Sequence, residues 1–302
     1  MITEKEISAK LGREIKSPIR VGQLSDLKMS NTTFIETLKP FFDELEDDLY
    51  LVKENQIAYL KKIFHEDSLI LEDLRKEYFH GAIGLDALNS WVFRLDEPQK
   101  QVFESLSQIT RQRNIATFML YAQDSGFSIE RLESTGFEQN VDDFRTWERV
   151  FKEAEPKMVE NELFFRLLLE IGSLVKSIHP EVKRLKVTSH FMRTISYEKI
   201  RGENAPEGIH EDGAKYIMSA LVVNRTNCKG AESQIFEKLG IDKHDTIYTK
   251  TLEPGEFIFQ ADTGEEKTFG NDLWHYVTPL QPLNAGQTGV RDIVGFDIDL
   301  FI

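Results

Sequence analysis

The residues of this chain best suited to chemistry are two histidines and one aspartate in its C-terminal half. His210 and Asp212 stand two positions apart, and His275 follows on a later segment. Two imidazoles and one carboxylate are the ligand set that leaves three adjacent positions open on a ferrous ion. Arg291 lies beyond them, and its planar fork of donors suits a ligand carboxylate. The pattern predicts a ferrous centre that binds a keto acid and activates oxygen.

The histidine-x-aspartate spacing occurs twice in the chain, and the setting of each copy distinguishes them. His65 and Asp67 lie within a helical pattern, where residues i and i+2 point about 200° apart and cannot chelate one ion. His210 and Asp212 lie just before a predicted strand, where positions i and i+2 share one face. We therefore expect the second copy to bind metal, and His65 to be a surface or interface histidine.

Several histidines compete for the position of third ligand. His275 lies among aromatic and β-branched residues that are typical of a strand, although a histidine in that setting is as often a satisfied core residue. His179 precedes a proline at a helix end, and His244 lies in a charged loop, so both are predicted to be structural or exposed. His190 lies on a strand that enters the same region and stays a candidate for the site.

Arg291 lies in an apolar strand, where a charged side chain needs an explanation. Alternation along the strand places Arg291 on one face together with Ile293, Gly295 and Asp297. A guanidinium in such surroundings needs a carboxylate partner or a wet edge. Bidentate pairing with a ligand carboxylate would satisfy it. The alternative is an ion pair with a neighbouring acidic residue of this acidic chain.

The elements that must position these residues change in character near residue 180. Up to that point apolar residues recur mainly at helical spacing, with a very apolar helix from Leu163 to Ile178 and another capped by Asp142 and Asp143. Further on, β-rich runs alternate with loops rich in Gly, Pro, Asn and Asp. The predicted strands are Lys186–Ser196, Ile217–Asn224, Thr246–Leu252, Glu256–Gln260 and Val290–Ile302.

This order of elements predicts an α+β fold in two parts. Residues 181–302 are expected to form a double-stranded β-helix core of the jelly-roll or cupin type. Residues 1–180 are expected to form a mainly helical N-terminal part that packs on this core. The sequence contains no linker rich in serine and glycine between the two parts.

Composition and charge disfavour several classes of partner. The 302 residues are 40% hydrophobic and 29% charged, as in globular proteins, and the net charge of −14 disfavours nucleic acid and anionic membrane surfaces. No apolar stretch approaches twenty residues, and the first residues lack a signal-peptide pattern. Cys228 is the only cysteine, which excludes an intrachain disulfide. We expect a cytoplasmic protein, and the sequence leaves its oligomeric state open, a homodimer included.

Five blocks of the C-terminal half, taken in order, carry a resemblance to a known family. They are His190-Phe191-Met192-Arg193, the run from Pro206 to Gly213, Gly230-Ala231-Glu232-Ser233, the run from Leu252 to Glu256 followed by His275 to Pro279, and Gly289-Val290-Arg291-Asp292. The segment from Lys186 to Ile302 resembles the bacterial 2-oxoglutarate–iron dioxygenases that include the isoleucine hydroxylases. Ala231 departs from the Gly-Gly turn of that family.

The resemblance implies both a cofactor set and a reaction. It implies that His210, Asp212 and His275 hold Fe(II), that 2-oxoglutarate and O2 take the open positions, and that Arg291 clamps the distal carboxylate of 2-oxoglutarate. It further implies hydroxylation of an unactivated C–H bond of a free aliphatic or cyclic amino acid, with conversion of 2-oxoglutarate and O2 to succinate and CO2. Retention of Asp212 argues against a halogenase.

An amino acid substrate requires a cation for its carboxylate and an acceptor for its ammonium group. Arg193 and Glu207 are the candidates for these two roles. His190 is a further candidate, although His190 and Arg193 stand three apart, so in a regular strand both cannot line one pocket. Ser233 and Gln234 follow the Gly-Ala turn and are candidates for polar contacts.

Other functions fit parts of the same pattern. The same iron chemistry can give desaturation or ring closure, or act on a carrier-bound or peptide substrate. A zinc hydrolase could also use two histidines and a carboxylate, with Glu211 as the general base. That reading gives Arg291 no role, and Glu211 alternates away from the ligand face. A barrel that binds metal only for structure is the remaining alternative.

Overall fold

The computed structural model of the chain describes residues 1–79, 85–133, 151–241, 243–262 and 269–302. The helix predicted to begin at Asp142-Asp143 lies outside these residues. The α-helices of the described part are α1 (Glu4–Leu11), α2 (Asn31–Leu38), α3 (Leu49–Ile63), α4 (Ser68–Phe79), α5 (Asn89–Phe93), α6 (Glu97–Ser105), α7 (Pro156–Val159) and α8 (Glu162–Ile178). Short 3-10 helices occur at Leu24–Leu27, Lys39–Glu44, His65–Asp67 and Leu85–Leu88.

Within the described residues the strands form two antiparallel sheets and a short additional pair. They are β1 (Ile2–Thr3), β2 (Ile19–Gln23), β3 (Arg111–Gln123), β4 (Gly126–Leu132), β5 (Arg184–Ser196), β6 (Tyr216–Thr226), β7 (Cys228–Gly230), β8 (Glu232–Gly240), β9 (Lys243–Thr251), β10 (Glu256–Ala261), β11 (Leu273–Val277), β12 (Leu280–Pro282) and β13 (Gly289–Phe301). The large sheet has the order β1-β2-β10-β6-β13-β5-β3-β4, the small sheet the order β11-β8-β9, and β12 pairs with β7. This architecture is the predicted double-stranded β-helix core with helices packed on it.

All five predicted strands overlap observed strands, but the hairpin of β3 and β4 was missed. Its residues fall in the part predicted to be mainly helical, yet they extend the large sheet beyond β5. In β3 nearly every residue from Arg111 to Leu120 is buried, on both faces of the strand. A strand buried on both faces lacks the polar–apolar alternation that identifies strands in a sequence. The division near residue 180 stays a prediction.

Helix α8 covers the convex face of the large sheet, and its predicted position is confirmed. The side chain of Asn161 caps it by accepting a hydrogen bond from the backbone N–H of Phe164 at 3.0 Å. The Phe164 ring packs against Phe118 of β3, Phe191 of β5 and Phe296 of β13, with centroids 5.9, 5.5 and 6.3 Å away. The helix therefore supports from behind the three strands whose other face carries the site.

Helices α3 to α6 form a second, smaller hydrophobic cluster beside the core. Its buried residues include Ile57, Leu60 and Trp91. His65 lies at the edge of this region in a short 3-10 helix and is exposed, as expected for a surface histidine. The first turns of α3 leave the cluster and reach the concave face of the large sheet.

Candidate active site

Three neighbouring strands of the large sheet build one wall of a cavity. Residues paired directly across antiparallel strands point to the same face, so the register of β3, β5 and β13 arranges side chains in rows. The rows are Arg111–Thr194–Arg291, Arg113–Met192–Ile293 and Ile115–His190–Gly295. All of these residues except Ile115 line the same cavity.

The small sheet supplies the facing wall and brings the predicted metal ligands together. The backbone groups of His210 and His275 exchange two hydrogen bonds, of 3.0 and 2.8 Å, which add the His210 segment to the edge of β11. Asp212 lies between the two rings: its oxygens are 3.5 Å from His210 Nε2 and 3.3 Å from His275 Nε2. The ligand atoms of the three residues all lie within 4.8 Å of one another, close enough to share one ion.

A backbone hydrogen bond fixes which nitrogen of His210 faces the site. His210 Nδ1–H donates to the carbonyl oxygen of Gly208 at 2.8 Å, so Nε2 is left to act as ligand. Gly208 adopts a φ of +85°, a left-handed conformation that glycine takes without strain. The glycine of the Pro-Glu-Gly-x-His motif thus turns the chain so that its carbonyl oxygen orients the histidine.

The electrostatics of the three residues favour a positive charge between them. Burial alone would lower the pKa of His210, but the hydrogen bond to Asp212 and the charges of Glu207 and Asp212 outweigh it and raise the pKa to about 9. Burial opposes ionisation of Asp212, but the neighbouring imidazoles hold its pKa well below the usual value. Burial and the proximity of His210 lower the pKa of His275. A divalent cation would compete with protons for the same atoms.

Arg291 reaches the cavity from the opposite sheet and is almost completely buried, at 2% exposure. Its Nη1 donates to Asn204 Oδ1 at 3.3 Å, while Nε and Nη2 have no hydrogen-bond partner within the described part of the chain. Burial, and then the charge of Arg225, lower the pKa of Arg291 to about 9. Among the described residues no carboxylate forms an ion pair with Arg291. The alternative predicted for Arg291, an ion pair with a neighbouring acidic residue, is therefore not observed in this part of the chain.

Residues 98–297 match the family model described as 2OG-Fe dioxygenase. The chain belongs to the 2OG-Fe dioxygenase family. Enzymes of this family use Fe(II), 2-oxoglutarate and O2. The zinc hydrolase alternative is therefore set aside.

Two solved structures resemble this 2OG-Fe dioxygenase over nearly its whole length. A bsmA homologue from Methylobium petroleophilum PM1 has 16% identity and a TM-score of 0.58, with 98% of this chain and 86% of that chain covered. IDO from Bacillus thuringiensis has 13% identity and a TM-score of 0.58, with 99% and 96% covered. At these identities the likeness shows the shared fold. No curated protein matches the sequence.

The residues of this 2OG-Fe dioxygenase fit the cofactor and cosubstrate of its family. His210, Asp212 and His275 would hold Fe(II), since two imidazoles and a carboxylate are the donor set expected for it. Two buried donors of Arg291, which no described residue satisfies, fit a carboxylate at the far end of a dicarboxylic ligand.

A buried carboxyl group that the sequence analysis did not identify supports the loop that carries Asp212. Asp262 Oδ2 accepts hydrogen bonds from the backbone N–H groups of Asp212 at 2.9 Å and Gly213 at 2.7 Å. Asp262 directly follows β10 and is 4% exposed, and burial raises its pKa well above the usual value. Sequence gives no signal for this contact, because an aspartate after a strand is common at turns.

Two of the predicted substrate contacts lie in the cavity. His190 Nε2–H donates to Asp297 Oδ2 at 2.9 Å, and its Nδ1 accepts from Arg113 Nη2 at 2.5 Å. Glu207 lies next to the metal ligands, with Oε1 3.1 Å from His210 Nε2. Both side chains therefore face the space where a substrate would bind.

The other three predicted substrate contacts lie outside the cavity, which corrects the sequence analysis. Arg193 points to the convex face, where it pairs with both oxygens of Asp292 at 2.7 and 3.0 Å and with Asp43 at 2.6 Å. Ser233 is buried within β8, and Gln234 donates to Glu232 at 2.8 Å. Strand alternation explains the orientation of Arg193, because residues three positions apart on a strand point to opposite faces and His190 faces the cavity.

The cavity also contains charged residues that sequence reasoning missed. Arg111 and Arg113 reach it from β3, and Tyr50 and Glu54 reach it from α3. The available signal was the Arg-x-Arg spacing, which would place both arginines on one face of a strand. It was missed because the segment was assigned to the helical part.

Proposed function

We propose that this 2OG-Fe dioxygenase hydroxylates an unactivated C–H bond of a free aliphatic or cyclic amino acid. The overall conversion would consume substrate, 2-oxoglutarate and O2 and form the alcohol, succinate and CO2. The main support is that one cavity combines the metal-binding residues on one wall with Arg291 and a second set of charged groups on the wall that faces them. A substrate with a carboxylate and no amine would need only a positively charged group in the cavity, whereas an amino acid also needs a negatively charged one.

The residues of the chain bind and orient the reactants. His210, Asp212 and His275 would hold iron, which supplies the oxidative chemistry together with 2-oxoglutarate and O2. Arg291 would orient 2-oxoglutarate through its distal carboxylate. Apolar side chains such as Met192 line the space between the charged groups, where they exclude water from the target carbon.

The charged groups favour a free amino acid over a carrier-bound or peptide substrate. Arg111 is paired with Asp48, and Arg113 beside it is 8% exposed and lines the cavity, so its guanidinium is the candidate group for a free carboxylate. A thioester or a peptide bond has lost that charge. Glu207, beside the metal ligands, is the candidate acceptor for the ammonium group.

A substrate panel tests the proposal directly. The enzyme would be incubated with Fe(II), 2-oxoglutarate and ascorbate and with each proteinogenic amino acid, pipecolate or ornithine, and the products analysed by mass spectrometry. We expect a gain of one oxygen atom with at least one aliphatic or cyclic amino acid, matched by equimolar succinate. The Asp212→Ala variant is the control for adventitious oxidation. Loss of two hydrogen atoms would instead indicate desaturation or ring closure, and no product from any amino acid would refute the proposal.

We also propose that the enzyme acts in the cytoplasm, because a reducing compartment helps keep iron ferrous. Among the described residues, no helix is both long and apolar enough to cross a membrane.

A further inference from the structure

The arginines of β3 form a positive region that is separate from Arg291. Two strand spacings and a two-residue step along the strand separate Arg113 from Arg291, which places their Cα atoms about 12 Å apart. Arg111 already has a carboxylate partner, since its Nε lies 2.6 Å from Asp48 Oδ2 and Asp48 is buried. The positive charges of Arg111 and Arg113 both lower the pKa of Asp48, so two guanidinium groups act on this one carboxylate.

Phe151 and His190 contact the guanidinium of Arg113. The ring of Phe151 lies beneath it, with Cζ 4.5 Å from the ring centroid. His190 Nδ1 accepts from its Nη2, and this is possible because His190 Nε2–H donates to Asp297. Both ring nitrogens are engaged in the neutral form, and burial also lowers the pKa of His190. A neutral imidazole orients the guanidinium without cancelling its charge, whereas a carboxylate in that place would neutralise it.

We propose that Arg113 binds the carboxylate of the substrate, and that His190 and Asp297 are positioning residues that hold its guanidinium toward the cavity. This inference rests on the proposed function and narrows its substrate class to free carboxylic acids. Amides and thioesters of the same compounds would bind more weakly, because they offer a guanidinium in the cavity no negative charge and no pair of equivalent acceptor oxygens.

Binding measurements without oxygen test this assignment independently of turnover. The probes are the amino acids of the panel and butyrate, each titrated calorimetrically into enzyme loaded with Mn(II) and 2-oxoglutarate. The tightest-binding acid is then compared with its amide. We expect the wild type to prefer the acid at least about 30-fold, and Arg113→Met to bind the acid at least about 30-fold more weakly and to lose this preference. Arg113→Lys keeps the positive charge but lacks the planar pair of donors, so its affinity for the acid should lie between those of the wild type and Arg113→Met.

A matched control removes an arginine from the same hairpin outside the cavity. Arg131 of β4 pairs with Glu153 and Glu160 at 2.7 and 2.6 Å, so Arg131→Gln should leave the affinity for the acid unchanged. His190→Leu removes both contacts of the imidazole and should weaken acid binding about tenfold, with the KM for 2-oxoglutarate unchanged. His190→Asn keeps an acceptor near Nδ1 and should recover part of the loss. Equal effects of His190→Leu on both ligands would refute the positioning role.

The outcomes separate this inference from the proposed function. Acid binding that depends on Arg113, without a product from any amino acid, would support the carboxylate site and refute the hydroxylation. A hydroxylated product whose substrate KM is unchanged in Arg113→Met would support the hydroxylation and refute the carboxylate site. Absence of binding by every acid, or equal binding of acid and amide to the wild type, would also refute the carboxylate site.

Discussion

Replacing Arg291 by methionine should stabilise the metal-free protein while removing its affinity for 2-oxoglutarate. Burial lowers the pKa of Arg291 from 12.5 to about 9, which corresponds to roughly 5 kcal/mol against the charged form at neutral pH. Methionine has a similar length and no charge to desolvate. Exchange of buried ions for apolar residues gives about 1–4 kcal/mol, and we expect a gain in the upper half of that range.

The pH dependence of this gain has a defined sign. The folded state binds the Arg291 proton less tightly than the unfolded state does, so the destabilisation is fully present below pH 9. Above pH 9 the folded protein releases this proton first, and the stability of the wild type should approach that of the variant. Denaturant unfolding in EDTA, followed by circular dichroism at pH 7 and above pH 9, measures both effects.

The Arg291→Met substitution should weaken the binding of 2-oxoglutarate and leave the binding of the amino acid unchanged. Removing one partner of a buried charge pair costs about 2–5 kcal/mol, so the KM for 2-oxoglutarate should rise at least about 30-fold in succinate-formation assays, with little change in the KM for the amino acid. Arg193→Met is the matched control on the neighbouring strand. It leaves the buried carboxylate of Asp292 without its bidentate partner and should destabilise the protein by about 3–5 kcal/mol, without changing the KM for 2-oxoglutarate. An Arg291→Met variant that is less stable than the wild type, or that binds 2-oxoglutarate normally, would refute the reasoning.

Three further predictions concern the metal site. His210→Ala should abolish turnover and Mn(II) binding, whereas His65→Ala should change neither. The reverse result would show that the metal binds at His65 and that the assignment to His210 is wrong. Asp262→Leu should raise the dissociation constant for Mn(II) about 10- to 100-fold. Asp262→Asn keeps a carbonyl acceptor for the two backbone N–H groups and should raise this constant less. Equal effects of both variants would contradict the role of that acceptor. The wild-type affinity for Mn(II) should increase as the pH rises toward 9, because the metal must displace the proton of His210, and a calorimetric titration series without this trend would contradict the raised pKa.

The sequence could predict that His210 and Asp212 lie side by side, because the information for this pair is local. His210 and Asp212 stand two apart beside a strand, and the alternation rule alone places them on one side. The motif that contains them also includes the glycine whose left-handed conformation orients His210. To place His275 beside this pair, a second strand segment must pair with the segment that carries His210. The two backbone hydrogen bonds between His210 and His275 form this pairing.

The substrate side of the cavity could not be predicted because its information is spread along the chain. Arg113 belongs to a strand buried on both faces, whose composition gives no alternation. Its charge made Arg193 a reasonable candidate for binding the substrate carboxylate. However, its orientation depends on which face of β5 lines the cavity and on its pairing with buried Asp292 on the neighbouring strand β13. Asp262 contacts Asp212 only because β10 ends beside the loop that carries the aspartate.

The two halves of the cavity come from different stretches of the chain, and this division bears on how the enzyme could be redesigned. The groups proposed for iron and cosubstrate all follow residue 200, whereas Tyr50, Glu54, Arg111 and Arg113 precede residue 120. Exchange of α3 and β3 residues can therefore alter what the catalyst accepts while leaving its oxidising machinery in place. Libraries aimed at new substrates should therefore begin with these early segments.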